Sequence, residues 1–198
     1  MSNRTDAISF PQCGHATNPR LLVRYTSPGN LLSFGLESVN PTSVNAVRKT
    51  FNEPARFAQL IGRVREHGIA VSTEIIVGME GDTEATFEHT YRFLMDNRVP
   101  LPRLYILTPV PGTPMYRQFE EQGRIFDRDV GMYNGGTCVF HPTGMDAEML
   151  QAGYWKLYES LYTYGAIARR MRGVPRDTEL AVRAFIFATN LHYRGHVH

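Results

Sequence analysis

The sequence predicts an α/β fold in which about three parallel strands, joined by crossover helices, are followed by a helical carboxyl-terminal extension. Three observations carry this: apolar, strand-forming runs bounded by Gly or Pro, amphipathic helical segments between them, and the loss of strand signals past Gly112. The strand runs are LLSFGLES at 31–38, IAVSTEIIVGM at 69–79 and LYILTPV at 104–110. Between the first two, Pro41 opens a short helix with Val44, Val47 and Phe51 on one face. A second helix carries Phe57, Leu60, Ile61 and Val64 at i, i+3, i+4, i+7, with Pro54 in its first turn and Gly68 past its end. Between the second and third runs, Asp82 or Thr83 can cap a helix bearing Phe87, Tyr91 and Leu94 on one stripe. Strands separated in this way by helices imply parallel neighbours. Helical patterns then occupy 114–123, a long segment from 146 to 171, and 178–191.

The 198 residues are enough for one domain with an appendage. With 42% hydrophobic and 20% charged residues, the chain is globular rather than disordered or fibrous. Lys and Arg number 21 against 19 Asp and Glu, a balance that gives no bulk electrostatic reason to expect nucleic acid as a partner. No run approaches the roughly 20 apolar residues of a spanning helix, so membrane insertion is not expected. Cys13 and Cys138 cannot build a disulfide framework, and the first residues lack signal-peptide regions, which makes the cytoplasm the expected compartment.

In parallel α/β structures ligands sit at the carboxyl ends of strands, and here those ends are unusually polar or glycine-rich. The first run closes in Gly35-Leu36-Glu37-Ser38, where alternation places Gly35 and Glu37 on one face. Glu74 interrupts the otherwise apolar second run. An interior carboxylate needs a partner, either a bound cationic ligand or an arginine. Gly78, Met79, Glu80 and Gly81 lead into the next helix, a turn that lets a ligand approach the backbone, although Asp82 argues against an anion there. Thr108-Pro109-Val110-Pro111-Gly112 removes two backbone donors and leaves carbonyls available to an amine such as an adenine edge, or simply ends a strand. No metal site follows from the chain: His192, His196 and His198 lie on a terminal tail, and neither cysteine has a partner at ligand spacing.

GLESVNP, the helix ending in His67-Gly68-Ile69, IIVGMEGDT with Phe87, and LTPVPGTPMY with EEQGRI stand in an order that resembles the second half of the radical S-adenosylmethionine (radical SAM) core. The similarity is greatest to members that also carry a cobalamin-binding domain. It covers about 31–170 and implies a partial TIM-type barrel, of which this chain would supply strands four to six. It divides the chain into a poorly defined segment 1–30, a half-barrel 31–125 and a helical extension 126–198. It also implies that Glu37 and Ser38 contact S-adenosylmethionine, that Gly78, Met79 and Gly81 lie beside its adenine and ribose, and that backbone groups of Thr108, Pro109 and Val110 meet the adenine. Glu74 falls beside these positions and joins the candidate cofactor-binding set.

Intact relatives would use a 4Fe-4S cluster, in some members with cobalamin, for radical methyl transfer or rearrangement of an organic substrate. The Cys-x-x-x-Cys-x-x-Cys spacing that holds such a cluster does not occur here. The expectation is therefore a fragment or truncated member, inactive alone. Its partner would be a missing amino-terminal half, or a second copy paired through an open edge at the first strand. The alternative expectation is a non-catalytic assembly or adenosine-ligand binding module.

Overall fold

The computed structural model describes residues 24–25, 31–37 and 54–196. The helix expected to open at Pro41 lies outside them, as does Ser38, and Glu37 is described by its backbone alone. Among the described residues, four strands form one open sheet in the order β1 (Arg24–Tyr25), β2 (Leu31–Glu37), β3 (Ala70–Val77) and β4 (Leu101–Ile106). The three longer strands are parallel neighbours, as the alternation of strand and helix signals predicts. β1 pairs antiparallel with β2 at Arg24↔Ser33 and Tyr25↔Leu32, covering two residues of the edge that the sequence suggested was open.

The crossover helices are α1 (Pro54–Glu66) and α2 (Ala85–Asp96). Phe57, Ile61 and Val64 of α1, with Leu94 of α2, share one core with Phe34, Leu36, Val71, Ile75, Val77, Leu104 and Ile106 of the sheet. Each such side chain removed from water contributes roughly 1.5–3 kcal/mol, so this face fixes the sheet on its helices. α1 ends as its sequence suggests, with Gly68 at φ 74° and the Ile69 N–H closing back on the Val64 carbonyl. α2 starts differently from expectation. Glu84 occupies its N-cap without a side-chain bond, because the Asp82 carboxylate turns back into the preceding loop.

β4 begins and ends earlier than the apolar run suggested, taking in Pro102 and Arg103 and stopping before Leu107. Pro102 is tolerated because β4 is an edge strand. Its carbonyl accepts the Tyr162 hydroxyl from outside the sheet, so the missing N–H falls on the same unladdered side.

The carboxyl-terminal extension consists of α3 (Pro114–Glu121), α4 (Ala147–Leu161), α5 (Tyr164–Met171) and α6 (Leu180–Arg194). The expected long helix over 146–171 is two helices. Thr163 adopts an extended conformation and its side chain accepts the Ala166 N–H, so it caps a new start. Below the strand ends, Val174, Val182 and Ile186 pack on Leu31, Ala70 and Leu101 and cover the amino-terminal end of the second sheet face. The carboxyl-terminal part of that face stays polar and accessible.

Candidate functional site

Register brings the carboxyl ends of the three parallel strands side by side. Glu37 pairs with Ile75, Val77 pairs with Ile106, and the Leu107 N–H donates to the Val77 carbonyl at 2.9 Å. The turn at Gly78 and the segment from Thr108 to Val110 therefore leave the sheet as neighbours. The pairing register shifts between Gly35 and Glu37, so β2 and β3 do not keep one-to-one pairing at this end. Gly35 itself is exposed, and a Cβ there would meet nothing within 4 Å.

The sheet face opposite the crossover helices carries charge. Gly35, Glu74 and Arg103 stand in one row across β2, β3 and β4. The Arg103 guanidinium lies 2.7 Å from the Glu74 carboxylate and donates to the Ser33 hydroxyl at 2.7 Å. The partner that Glu74 requires is thus supplied by the chain itself, through an arginine that sequence spacing did not connect to it. Tyr105, two residues further along β4, is exposed on this side.

The turn after β3 is internally satisfied. Asp82, buried with 1% of its surface exposed, accepts the Gly78 N–H at 2.9 Å and the Met79 N–H at 3.0 Å, and the Thr86 hydroxyl donates to its other oxygen. Gly78 and Gly81 take φ values of 89° and 85°, which a side chain would strain. Because Asp82 fills the donor nest, the turn is unsuited to a phosphate, in line with the sequence argument. Glu80 points the other way, 2.6 Å from Arg124, and accepts the Thr143 hydroxyl at 2.9 Å. Burial alone would raise its pKa, but those hydrogen bonds and the arginine charge outweigh it and hold the carboxyl below its usual range.

Beyond β4, Thr108 Oγ1 donates to the Ile106 carbonyl, and the Val110 carbonyl accepts both the N–H and the hydroxyl of Thr113. No described residue donates to the carbonyls of Thr108 and Pro109. They remain as acceptors at the rim, Thr108 half-buried and Pro109 buried.

Sequence reasoning missed how the extension closes the far edge of β4. The outward carbonyl of Pro100 accepts Asn190 Nδ2 at 3.0 Å and an Arg170 nitrogen at 3.0 Å, that of Pro102 accepts the Tyr162 hydroxyl, and that of Leu104 accepts the Tyr154 hydroxyl at 3.4 Å. The Ile106 N–H donates to the Gly135 carbonyl at 2.6 Å. The tyrosine repeat at 154 and 158 on α4 and 162 at its C-cap was a visible signal, but its target was not. Burial raises these phenols, Tyr154 to about 12 and Tyr162 well above its ordinary value, so they act as hydrogen-bond donors at neutral pH. Burial also pushes the Cys138 thiol up, and its Sγ donates to the Phe140 carbonyl. Among the described residues, no group of His, Cys, Asp and Glu is arranged to hold a metal ion.

Residues 113–185 match a family model described as a domain of unknown function, DUF4070. The chain is 34% identical over 145 residues to the bacteriochlorophyllide d C-12(1)-methyltransferase of Chlorobaculum tepidum, covering 73% of this chain and 31% of that protein. The bacteriochlorophyllide d C-8(2)-methyltransferase of the same organism is 26% identical over 82% of this chain and 36% of its own length. The anaerobic magnesium-protoporphyrin IX monomethyl ester cyclase of Cereibacter sphaeroides is 27% identical over 69% of this chain and 22% of its own length. The chain is related to radical SAM enzymes, in keeping with its resemblance to the second half of their core. It spans about a third of the length of the two methyltransferases. The open sheet of three parallel strands with crossover helices is consistent with a partial barrel, and the helical extension includes most of the DUF4070 match.

Proposed function

We propose that this chain forms the adenosine side of the S-adenosylmethionine site in a radical SAM enzyme acting on a tetrapyrrole-class substrate. The observation that supports this best is the alignment of three parallel strand ends around an open Gly35, with the Thr108 and Pro109 carbonyls unengaged by described residues. Those carbonyls suit the exocyclic amine of an adenine, and the satisfied Gly78–Asp82 turn offers a glycine surface without competing for an anion. Glu37 and Ser38 would hold the sugar and amino-acid portion by the family resemblance. Glu74, fixed by Arg103, is the remaining acidic group on that face. The tetrapyrrole class rests on the activities named for the methyltransferases and the cyclase.

S-adenosylmethionine bound in such an enzyme supplies a transferable methyl group and, with an electron from a reduced cluster, radical chemistry. The residues of this chain do not fit the cluster: Cys13 and Cys138 are far apart in sequence, and Cys138 is a buried thiol. Its ligands would have to come from residues other than these 198. The contribution assigned here is binding and orientation.

The test is equilibrium binding of S-adenosylmethionine to the full chain, compared with Gly35→Leu and Glu37→Ala. Leucine at position 35 projects into open space, so the fold should survive while the hollow is filled. Affinity should fall by roughly ten-fold or more, the equivalent of about 1.4 kcal/mol. Unchanged affinity in Gly35→Leu rejects the site.

A further inference from the structure

A recess of about 200 Å³ opens on the polar face beside β4, walled by Arg103, Tyr105, Asn134, Tyr154, Tyr158 and Tyr193. Its chemistry is unusual in one respect. Tyr154 spends its hydroxyl on the Leu104 carbonyl, but the hydroxyls of Tyr105, Tyr158 and Tyr193 have no partner among the described residues. Arg103 Nε is buried and likewise without a hydrogen-bond partner. Three phenol hydroxyls therefore stand at one small recess beside the Arg103 guanidinium, each able to donate to a ligand that enters it.

The sign of the charge decides what fits. Among the described residues of the wall, Arg103 carries the only positive charge, and Glu74 neutralises it at 2.7 Å. Burial holds the Tyr193 phenol protonated, with Glu74 and Tyr105 adding to that effect and Arg103 opposing it. The recess is therefore rich in donors but close to neutral. A carboxylate entering it would meet the Glu74 charge, whereas a neutral carbonyl would accept the phenol hydrogens without adding charge.

We propose that this recess receives a neutral carbonyl oxygen of the substrate, an ester or ketone, and discriminates against the free carboxylate. The inference rests on the proposal that the polar face meets the substrate, and it adds the functional group recognised there. Tyr105 and Tyr193 donate to the carbonyl, and Glu74 sets the selectivity by cancelling Arg103. The small volume admits a substituent of the substrate rather than its whole body.

Ligand-observed NMR on the full chain tests this with three probes sized for the recess: methyl benzoate, benzoate and ethylbenzene. Methyl benzoate should bind more tightly than the other two. Tyr105→Phe and Tyr193→Phe should each weaken it roughly three- to ten-fold while leaving ethylbenzene unchanged, since each removes one hydroxyl. Glu74→Gln uncovers the Arg103 charge and should reverse the preference in favour of benzoate. A wild-type preference for benzoate, or methyl benzoate binding indifferent to both tyrosine changes, overturns the inference. Protoporphyrin IX dimethyl ester should displace the bound methyl benzoate. If the fragment pattern holds and this porphyrin does not displace, the tetrapyrrole reading falls and with it the assignment of the recess to that substrate, while the S-adenosylmethionine measurements stand apart.

Discussion

The Arg124 guanidinium sits 2.6 Å from the Glu80 carboxylate while lying 4.0 Å from the centre of the Phe119 ring. Its Nε also donates to the His141 carbonyl at 2.8 Å. One side chain thus ties the turn after β3 to α3 and to the segment leading into α4, and its aliphatic stem and ring contact matter as much as its charge.

Because Glu80 is ionised more readily in the fold than in the unfolded chain, its contribution is complete above the unfolded carboxylate range. It is lost as pH falls through the depressed folded value. Urea unfolding at a series of acidic pH values should show a shallower loss of stability in Glu80→Gln than in the parent. At neutral pH, Glu80→Gln should cost no more than about 1 kcal/mol, since the carboxylate is partly solvated. Parallel acid limbs for the two proteins would refute this role.

Arg170 is fully buried and meets neutral acceptors: the carbonyls of Val99, Pro100 and Leu161 and the side-chain oxygen of Asn190. Burial lowers its pKa to about 10, so it stays charged at neutral pH. Arg170→Met strips donors from several buried carbonyls and should destabilise by about 3 kcal/mol or more. Calorimetric melting would show it. A change below about 1 kcal/mol would mean that the acceptors are satisfied otherwise.

Tyr162→Phe and Tyr154→Phe each remove one donor from the outer edge of β4 without changing ring packing. Each should cost about 1 kcal/mol, with Tyr162 the larger because its site is almost completely buried. S-adenosylmethionine affinity should not change in either variant, which separates edge closure from ligand binding.

Two glycines should respond in opposite directions. A Cβ at Gly144 would lie 2.0 Å from the Asp82 carbonyl oxygen, so Gly144→Ala forces backbone movement and should destabilise by about 2 kcal/mol or more. Gly62 sits inside α1 with nothing within 4 Å of an added Cβ, and Gly62→Ala should stabilise by about 0.5–1 kcal/mol. Denaturant midpoints measured on the two variants decide both.

Local pattern made much of the architecture legible. The stripe Phe57, Leu60, Ile61, Val64 marks α1 because its spacing follows a single helix face, and the Gly-bounded apolar runs mark β2 and β3. The start of β4 was hidden, since Pro102 reads as a breaker unless its unladdered edge is known. The Tyr162–Thr163 break escaped notice because the apolar period continues across it. At the candidate site, Glu74 stood out as a carboxylate in an apolar strand, but Arg103 and Ser33 answer it from positions distant in sequence. Asp82 was legible as one of two candidate caps by residue type, and only tertiary geometry showed it serving Gly78 and Met79 instead of α2.

The sealing of β4 by tyrosine, arginine and asparagine side chains gives the sheet a direction of growth. With its outer carbonyls at 100, 102 and 104 already engaged, β4 is a poor template for another strand. Any enlargement of the sheet must start on the opposite flank, against β2, and would compete with the two-residue pairing made by β1.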